Sequence, residues 1–190
     1  MKAIMAVCGD NFGYGFENDL PWGEHEDCTR DMKNFIKLTK GQIVLMGSKT
    51  MESLPKFPLA SRLNVVASND AAKIVNIQQL HPDVVVTSGA YVDLLETRLK
   101  AQHTDKEEVW CIGGGTLLKE CIAYVTEFHL TKFHFDDIKS DIYFDDSIIT
   151  ALEDDFRVSR KTITKYGTEF IVYTRKVKEE IKKGKRNVKL

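Results

Sequence analysis

The sequence predicts an α/β domain of three layers, with a mostly parallel mixed central sheet of about eight strands, helices on both faces and an antiparallel hairpin at the C-terminal end. Three observations carry this expectation. Short β-rich runs alternate with helical patterns along most of the chain; runs such as Ile43-Val44-Leu45-Met46 and Val84-Val85-Val86-Thr87 are apolar on both faces; and the last third changes to two β-rich runs joined by a glycine-containing turn. Strands buried on both faces belong to parallel sheets covered by helices.

The elements follow in order. Residues 2–8 form an apolar strand that ends at Gly9, and residues 30–39 form a helix whose apolar positions recur on one stripe. A strand at 42–46 passes through Gly47 into a helix at 49–53, and strands at 62–67 and 83–87 are separated by a helical pattern at 77–80. A helix at 90–101 precedes the apolar strand 109–112, which runs through three glycines into a helix at 116–122. A strand at 127–134 follows, and strands at 156–164 and 169–176 flank Lys165-Tyr166-Gly167-Thr168, a hairpin turn.

A chain of 190 residues with 43% hydrophobic and 29% charged residues is the size of one domain and has the make-up of a globular protein. Such a domain buries roughly 70% of the surface its unfolded chain exposes, so it needs neither disulfide nor metal to stay folded. No apolar run approaches the ~20 residues of a membrane helix and the N-terminus is not a signal peptide, so a cytoplasmic protein is expected. The four cysteines contain no Cys-x-x-Cys pair, and His25-Glu26-Asp27-Cys28 reads as a polar surface loop, with no metal expected. The formal net charge of −1 conceals a division: residues 175–190 hold eight Lys/Arg against two Glu, so residues 1–174 carry −7. Residues 1–175 are expected to be one domain, and 176–190 a basic, partly disordered tail able to make only weak anionic contacts.

Three features point to chemistry. Gly113-Gly114-Gly115 lies between a strand and a helix, where amide N–H groups and a helix N-terminus receive anions. Met46-Gly47-Ser48-Lys49-Thr50 repeats that arrangement, and two anion-receptive corners suggest a ligand with more than one phosphate, such as a dinucleotide. Asp31 falls within about 60° of Phe35 and Leu38 on the 30–39 helix, which sets a carboxylate among apolar side chains and raises its pKa. Upstream, Leu20-Pro21-Trp22 in a polar loop reads as a lid over a cleft.

Taken together and in this order, Asn18-x-Leu20-Pro21-Trp22, Asp31 with Phe35, Met46-Gly47-x-x-Thr50, Arg62 before Asn64, Ile112 with its three glycines, and Leu130-Thr131 with Asp141 resemble the dihydrofolate reductase family over residues 1 to about 175. The resemblance implies hydride transfer from NADPH to 7,8-dihydrofolate, giving tetrahydrofolate. Asp31 corresponds to the pterin-binding acid with Thr131 as its supporting hydroxyl, while Met5, Phe35 and Leu54 line the substrate pocket. Ala6 and Val7 present backbone groups, and Arg62 pairs with the α-carboxylate of the glutamate tail. Leu20 and Trp22 belong to the lid beside the nicotinamide, with Trp22 ordering a water near Asp31. Gly15, Gly47, Ser48, Lys49, Thr50, Ile112, Gly113, Gly114, Gly115, Thr116 and Leu117 hold the cofactor, with Ser68 beside the adenosine.

Departures accompany the match. Glu24 to Arg30 reads as an acidic insertion, and Asp27 competes with Asp31 for the role of the acid; Asp31 is preferred for its spacing to Phe35. Arg62 follows Leu59-Ala60-Ser61 instead of the family's Pro-Gly, Leu118 stands where a tyrosine is often found, and Ser48 and Thr116 replace arginines, which leaves Lys49 and Ser68 to select the 2′-phosphate. A small-molecule enzyme, monomer or weak homodimer, with no need of nucleic acid or membrane, is expected. The alternatives are a pyrimidine reductase of riboflavin synthesis, which shares the fold but needs neither Asp31 nor Arg62, and a non-catalytic nucleotide-binding or assembly protein.

Overall fold

The computed structural model describes residues 1–17, 19–87, 92–135 and 138–177. Asn18, Ala90 and residues 178–190 of the basic tail lie outside these, so the expectation of a partly disordered tail falls outside the described residues. Among the described residues, ten strands and six α-helices follow one another in the order β1 (Lys2–Cys8), β2 (Gly13–Gly15), α1 (Glu26–Thr39), β3 (Ile43–Gly47), α2 (Ser48–Ser53), β4 (Leu63–Ala67), α3 (Ala71–Leu80), β5 (Val85–Thr87), α4 (Val92–Gln102), β6 (Val109–Cys111), α5 (Gly115–Cys121), β7 (Glu127–Phe133), β8 (Ile142–Tyr143), α6 (Asp146–Asp155), β9 (Phe156–Ile163) and β10 (Glu169–Arg175).

The sheet runs β5-β4-β3-β6-β1-β7-β10-β9, with β2 and β8 attached beside β1. From β5 to β7 every neighbouring pair is parallel. β10 then runs antiparallel to both β7 and β9, which is the expected hairpin. Central strand β3 shows why the sheet needs cover on two sides. Ile43 and Leu45 enter one core with Val7, Leu118, Phe128, Ile148 and Leu152, whereas Val44 and Met46 enter a second with Ile4, Ile77, Trp110, Phe35 and Leu38. Helices α4, α5 and α6 cover the first face, and α1, α2 and α3 the second.

The position of the site follows from connectivity. β1 leads to α1 on one face while the adjacent β6 leads to α5 on the other, so the chain parts between these strands and opens a crevice at their carboxyl ends.

Three local differences from expectation have physical causes. α1 begins at Glu26, not at residue 30: the ring nitrogen Nδ1 of His25 caps it by accepting the Asp27 amide at 3.1 Å, a task more often done by Ser, Thr, Asp or Asn. The stretch read as a polar loop and an acidic insertion is therefore the cap and first turn of a helix, with Glu26 and Asp27 placed to favour its dipole. α6 was not expected, although Asp145 caps it through the Ser147 amide at 3.0 Å and Ile148 and Leu152, one turn apart, bury its inner face. The helical pattern at 77–80 is the end of α3, which starts at Ala71 behind the cap Asp70.

Leu118 is 0% exposed within the first core. Leu118→Ala is expected to lower unfolding stability by about 3 kcal/mol without altering secondary structure, measured by urea denaturation followed by circular dichroism.

Candidate active site

α1 lies across the carboxyl half of β1 and β7, and its inward, half-buried stripe carries Asp31, Phe35 and Leu38. Parallel pairing puts Ala6 of β1 beside Thr131 of β7. From there the Thr131 hydroxyl donates to Asp31 Oδ1 at 2.5 Å. Burial pushes the Asp31 carboxyl up to about 6, against the opposing effect of the Thr131 hydrogen bond. A carboxyl so placed changes its charge near neutral pH and is able to accept hydrogen bonds from a cationic partner.

Asp27 has a different fate. It is 3% exposed and accepts the Thr164 hydroxyl at 2.6 Å, while Glu26 accepts the Tyr166 hydroxyl at 2.9 Å. These bonds fasten the first turn of α1 to the β9–β10 hairpin. The two acids thus divide their tasks, with Asp27 holding the helix and Asp31 facing the supporting hydroxyl of β7.

The far end of α1 holds Arg62. Its Nε donates to Thr39 Oγ1 at 2.8 Å, its Nη1 to the Ala60 carbonyl at 2.8 Å, and the guanidinium lies 5.5 Å from the Phe35 ring centroid. Thr39 in turn donates to the Phe35 carbonyl at 2.7 Å. Asn64 supports the turn by bonding both the amide and the carbonyl of Leu59 at 2.9 Å, so the missing Pro-Gly is replaced by side-chain hydrogen bonds. Ser61 takes the left-handed conformation there, with φ of 58°. Leu54, at the end of α2, packs into the same apolar cluster as Phe35. Val7 points into the opposite core with 0% exposure, leaving its backbone as the part that can face a ligand.

The two glycine corners meet. The Gly47 amide donates to the Gly113 carbonyl at 2.8 Å, and neither Gly47 nor Gly114 provides a side-chain cap for the helix it starts. First-turn amides of α2, at Ser48, Lys49 and Thr50, are therefore left for an anion or solvent. The glycines answer first to their protein neighbours. Gly113 has φ of +103°, and a Cβ on it would lie 2.7 Å from Met5 Sδ. A Cβ on Gly114 would lie 3.3 Å from Thr50 Oγ1, and one on Gly115 would strike the Tyr14 hydroxyl. That hydroxyl accepts the Gly115 amide at 3.1 Å. Tyr14 is the residue that sequence reasoning missed: a phenol stands at this corner, contributed by β2, while Leu118 is core. The cradle of backbone amides, the Thr50 hydroxyl and the absence of side chains suit a pyrophosphate group. Thr116 and Leu117 lie in the first turn of α5, and Ile112 forms the approach to it, its amide bonded to the Leu45 carbonyl at 2.9 Å. Ser68 ends the neighbouring strand, where its Oγ accepts the Asp70 amide at 3.2 Å. Lys49 is exposed.

The loop ahead of α1 is tied at its base. The Asp141 amide donates to the Gly15 carbonyl at 2.9 Å, and the Glu17 amide to Asp141 Oδ2 at 3.0 Å. Trp22 packs 4.8 Å from the Phe133 ring, and Leu20 is 53% exposed.

With this geometry in view, comparison with known proteins is direct. The sequence model described as dihydrofolate reductase matches residues 1–175. The chain is 34% identical over 132 residues to dihydrofolate reductase type 9 of Escherichia coli, covering 70% of this chain and 69% of that one. It is 29% identical over 163 residues to dihydrofolate reductase of Neisseria gonorrhoeae, covering 85% and 90%. It is also 33% identical over 157 residues to a bifunctional dihydrofolate reductase-thymidylate synthase of Paramecium tetraurelia, spanning 82% of this chain but 29% of that longer protein. The chain belongs to the dihydrofolate reductase family. It is an oxidoreductase, and reduction of dihydrofolate is the reaction that this membership supports.

The buried carboxyl has a measurable cost. Held near 6 against an ordinary value of 3.8, Asp31 binds its proton more tightly in the folded chain than in the unfolded one, so stability falls as pH rises from about 4 to 6. Asp31→Asn removes this ionisation. The variant is expected to be more stable than the parent by up to about 3 kcal/mol at pH 7–8, with the difference closing below about pH 4, read from urea unfolding across pH. A pH-independent difference would contradict the assignment.

Proposed function

We propose that the chain reduces 7,8-dihydrofolate to 5,6,7,8-tetrahydrofolate with NADPH as donor. The observation that carries this reading is the Asp31–Thr131 pair, formed between α1 and β7 beside the carboxyl half of β1. The family implies a nicotinamide cofactor; NADPH, when bound, supplies the hydride. The pyrophosphate is assigned to the amides at Gly47–Thr50 and Gly113–Leu117. Lys49 and Ser68 are assigned to the 2′-phosphate.

On this reading Asp31 accepts hydrogen bonds from the 2-amino group and ring nitrogen of the pterin. Thr131 holds the carboxyl in the rotamer that faces them. A negative charge beside the ring favours the form protonated at N5, the state that accepts a hydride at C6. Phe35, Leu54 and Met5 supply the apolar wall, and Ala6 and Val7 supply backbone groups. Leu20 and Trp22 exclude water, and Trp22 orders the one water that relays a proton. Arg62, held rigid by Thr39 and Ala60, presents its remaining donors to the α-carboxylate of the glutamate tail. A pyrimidine reductase would have no use for that held arginine, and a purely structural domain would have none for a carboxyl kept near 6. Residues 1–175 are proposed as the catalytic domain, acting in the cytoplasm on a small-molecule substrate as a monomer or weak homodimer, without nucleic acid.

The defining test is a steady-state assay following NADPH absorbance with dihydrofolate; no turnover by folded protein would refute the proposal. Asp31→Asn is expected to lower kcat/KM by about 100-fold or more at pH 7 and to recover in part below pH 5, where substrate arrives protonated. A loss of the same size at every pH would exclude this role. Arg62→Lys is expected to raise KM for dihydrofolate about tenfold or more with little change in kcat, and to leave a pterin lacking the glutamate tail unaffected.

A further inference from the structure

The face of the sheet beneath α1 extends beyond the helix onto β10 and β9, and there it is polar and basic. Register sets Thr131, Phe170 and Thr162 in one cross-strand row and His129, Val172 and Arg160 in the next. From above, α1 contributes Arg30 and Asn34, one turn apart and about 100° and 60° around the helix from Asp31. These rows and that stripe enclose a half-open cavity of about 250 Å³ lined by Arg30, Asn34, His129, Arg160, Thr162 and Phe170, among others. Its size is just below the roughly 300–1,000 Å³ of drug-sized ligand pockets.

Its charges are arranged for a guest. The Arg30 guanidinium lies 5.1 Å from the Phe170 ring centroid, which steadies it without neutralising it. Among the described residues no carboxylate lies within ion-pair distance of Arg30 or of Arg160. The nearby acid, Glu127, is already engaged, by His129 Nε2 at 2.7 Å and by Lys2 at 3.5 Å. Two unpaired guanidiniums therefore share one cavity in a body whose first 174 residues carry −7. Both side chains are exposed at the open rim of the cavity, and an oxyanion between them would relieve their mutual repulsion. The neighbouring groups are suited to complete its shell: the Thr162 hydroxyl and the Asn34 amide can both donate, and planar guanidiniums take phosphate or carboxylate oxygens in pairs.

We propose that this groove is a binding site for a small multivalent oxyanion, gripped between Arg30 of α1 and Arg160 of β9. The site is separate from the crevice. Asp31 and Phe35 face one way from α1 and Arg30 and Asn34 another, while Thr131, whose hydroxyl holds Asp31, also forms part of the groove wall. An occupant would bridge the helix to the edge strand across Phe170.

The test is a titration of the uniformly ¹⁵N-labelled full chain with sodium pyrophosphate and, separately, sodium citrate, at constant ionic strength maintained with KCl. Saturable amide shifts are expected at Asn34, Thr131, Thr162 and Phe170, with Arg160→Gln and Arg30→Gln each weakening binding there about tenfold or more. Tighter pyrophosphate than citrate identifies a phosphate ligand, and the reverse a carboxylate. Arg160 lies on an exposed edge strand outside the proposed catalytic machinery, so Arg160→Gln should keep the reductase activity of the parent. Shifts confined to residues 47–50 and 113–115 would place the anion at the dinucleotide corners and overturn the proposal. So would shifts reproduced by KCl alone, or groove shifts unchanged in both variants.

Discussion

The site depends on one hydrogen bond made across two layers of the fold, from Thr131 in the sheet to Asp31 in the helix above it. Asp31 sits on the same stripe that packs Phe35 and Leu38 onto the sheet, so docking the helix necessarily carries a carboxyl out of water. An unpartnered carboxyl there would favour a helix rotated or lifted away from the strands. The Thr131 hydroxyl removes part of that penalty without supplying a countercharge, so the group stays both buried and able to change its charge. A lysine or arginine in place of Thr131 would have fixed Asp31 as a permanent anion and cancelled its field. A neutral donor leaves that field available.

The glycine corners show a related economy. Gly113 and Gly115 are tightly enclosed by Met5 and Tyr14, so two of the three glycines have structural reasons independent of any ligand. The parallel pairing of β3 with β6 runs on past the strand ends into the Gly47–Gly113 bond, and the helix α2 that follows starts without a side-chain cap. Close packing of the turn and uncapped amides at the start of α2 therefore lie side by side in one corner of the fold.

Much of this was legible in the sequence where the signal was local. Doubly apolar runs announced the parallel strands, Gly167 marked the hairpin turn, and the spacing of Asp31, Phe35 and Leu38 placed the acid on the buried face. Legibility ended where the signal was unusual or distant. A histidine cap concealed the first turn of α1, so Asp27 looked like a rival to Asp31 when its partner, Thr164, stands 137 residues away. Helix α6 was overlooked despite its Asp145 cap, because only Ile148 and Leu152 among its residues are fully buried and the periodicity is short. Tyr14 gave no sign at all, since a lone tyrosine in a glycine-rich stretch acquires meaning only when the fold brings Gly115 to it.

Helix α1 is fastened at both ends, by Asp27 and Glu26 to the β9–β10 hairpin and by Thr39 to Arg62. Fixed at two points, it cannot slide along its axis. Eight residues separate Asp31 from Thr39, which at 1.5 Å per residue is about 12 Å of rigid helix. The helix is thus a gauge. A molecule that engages the carboxyl at one mark and the guanidinium at the other must have its own groups set apart by a matching length, and a shorter or longer one can satisfy only one end at a time.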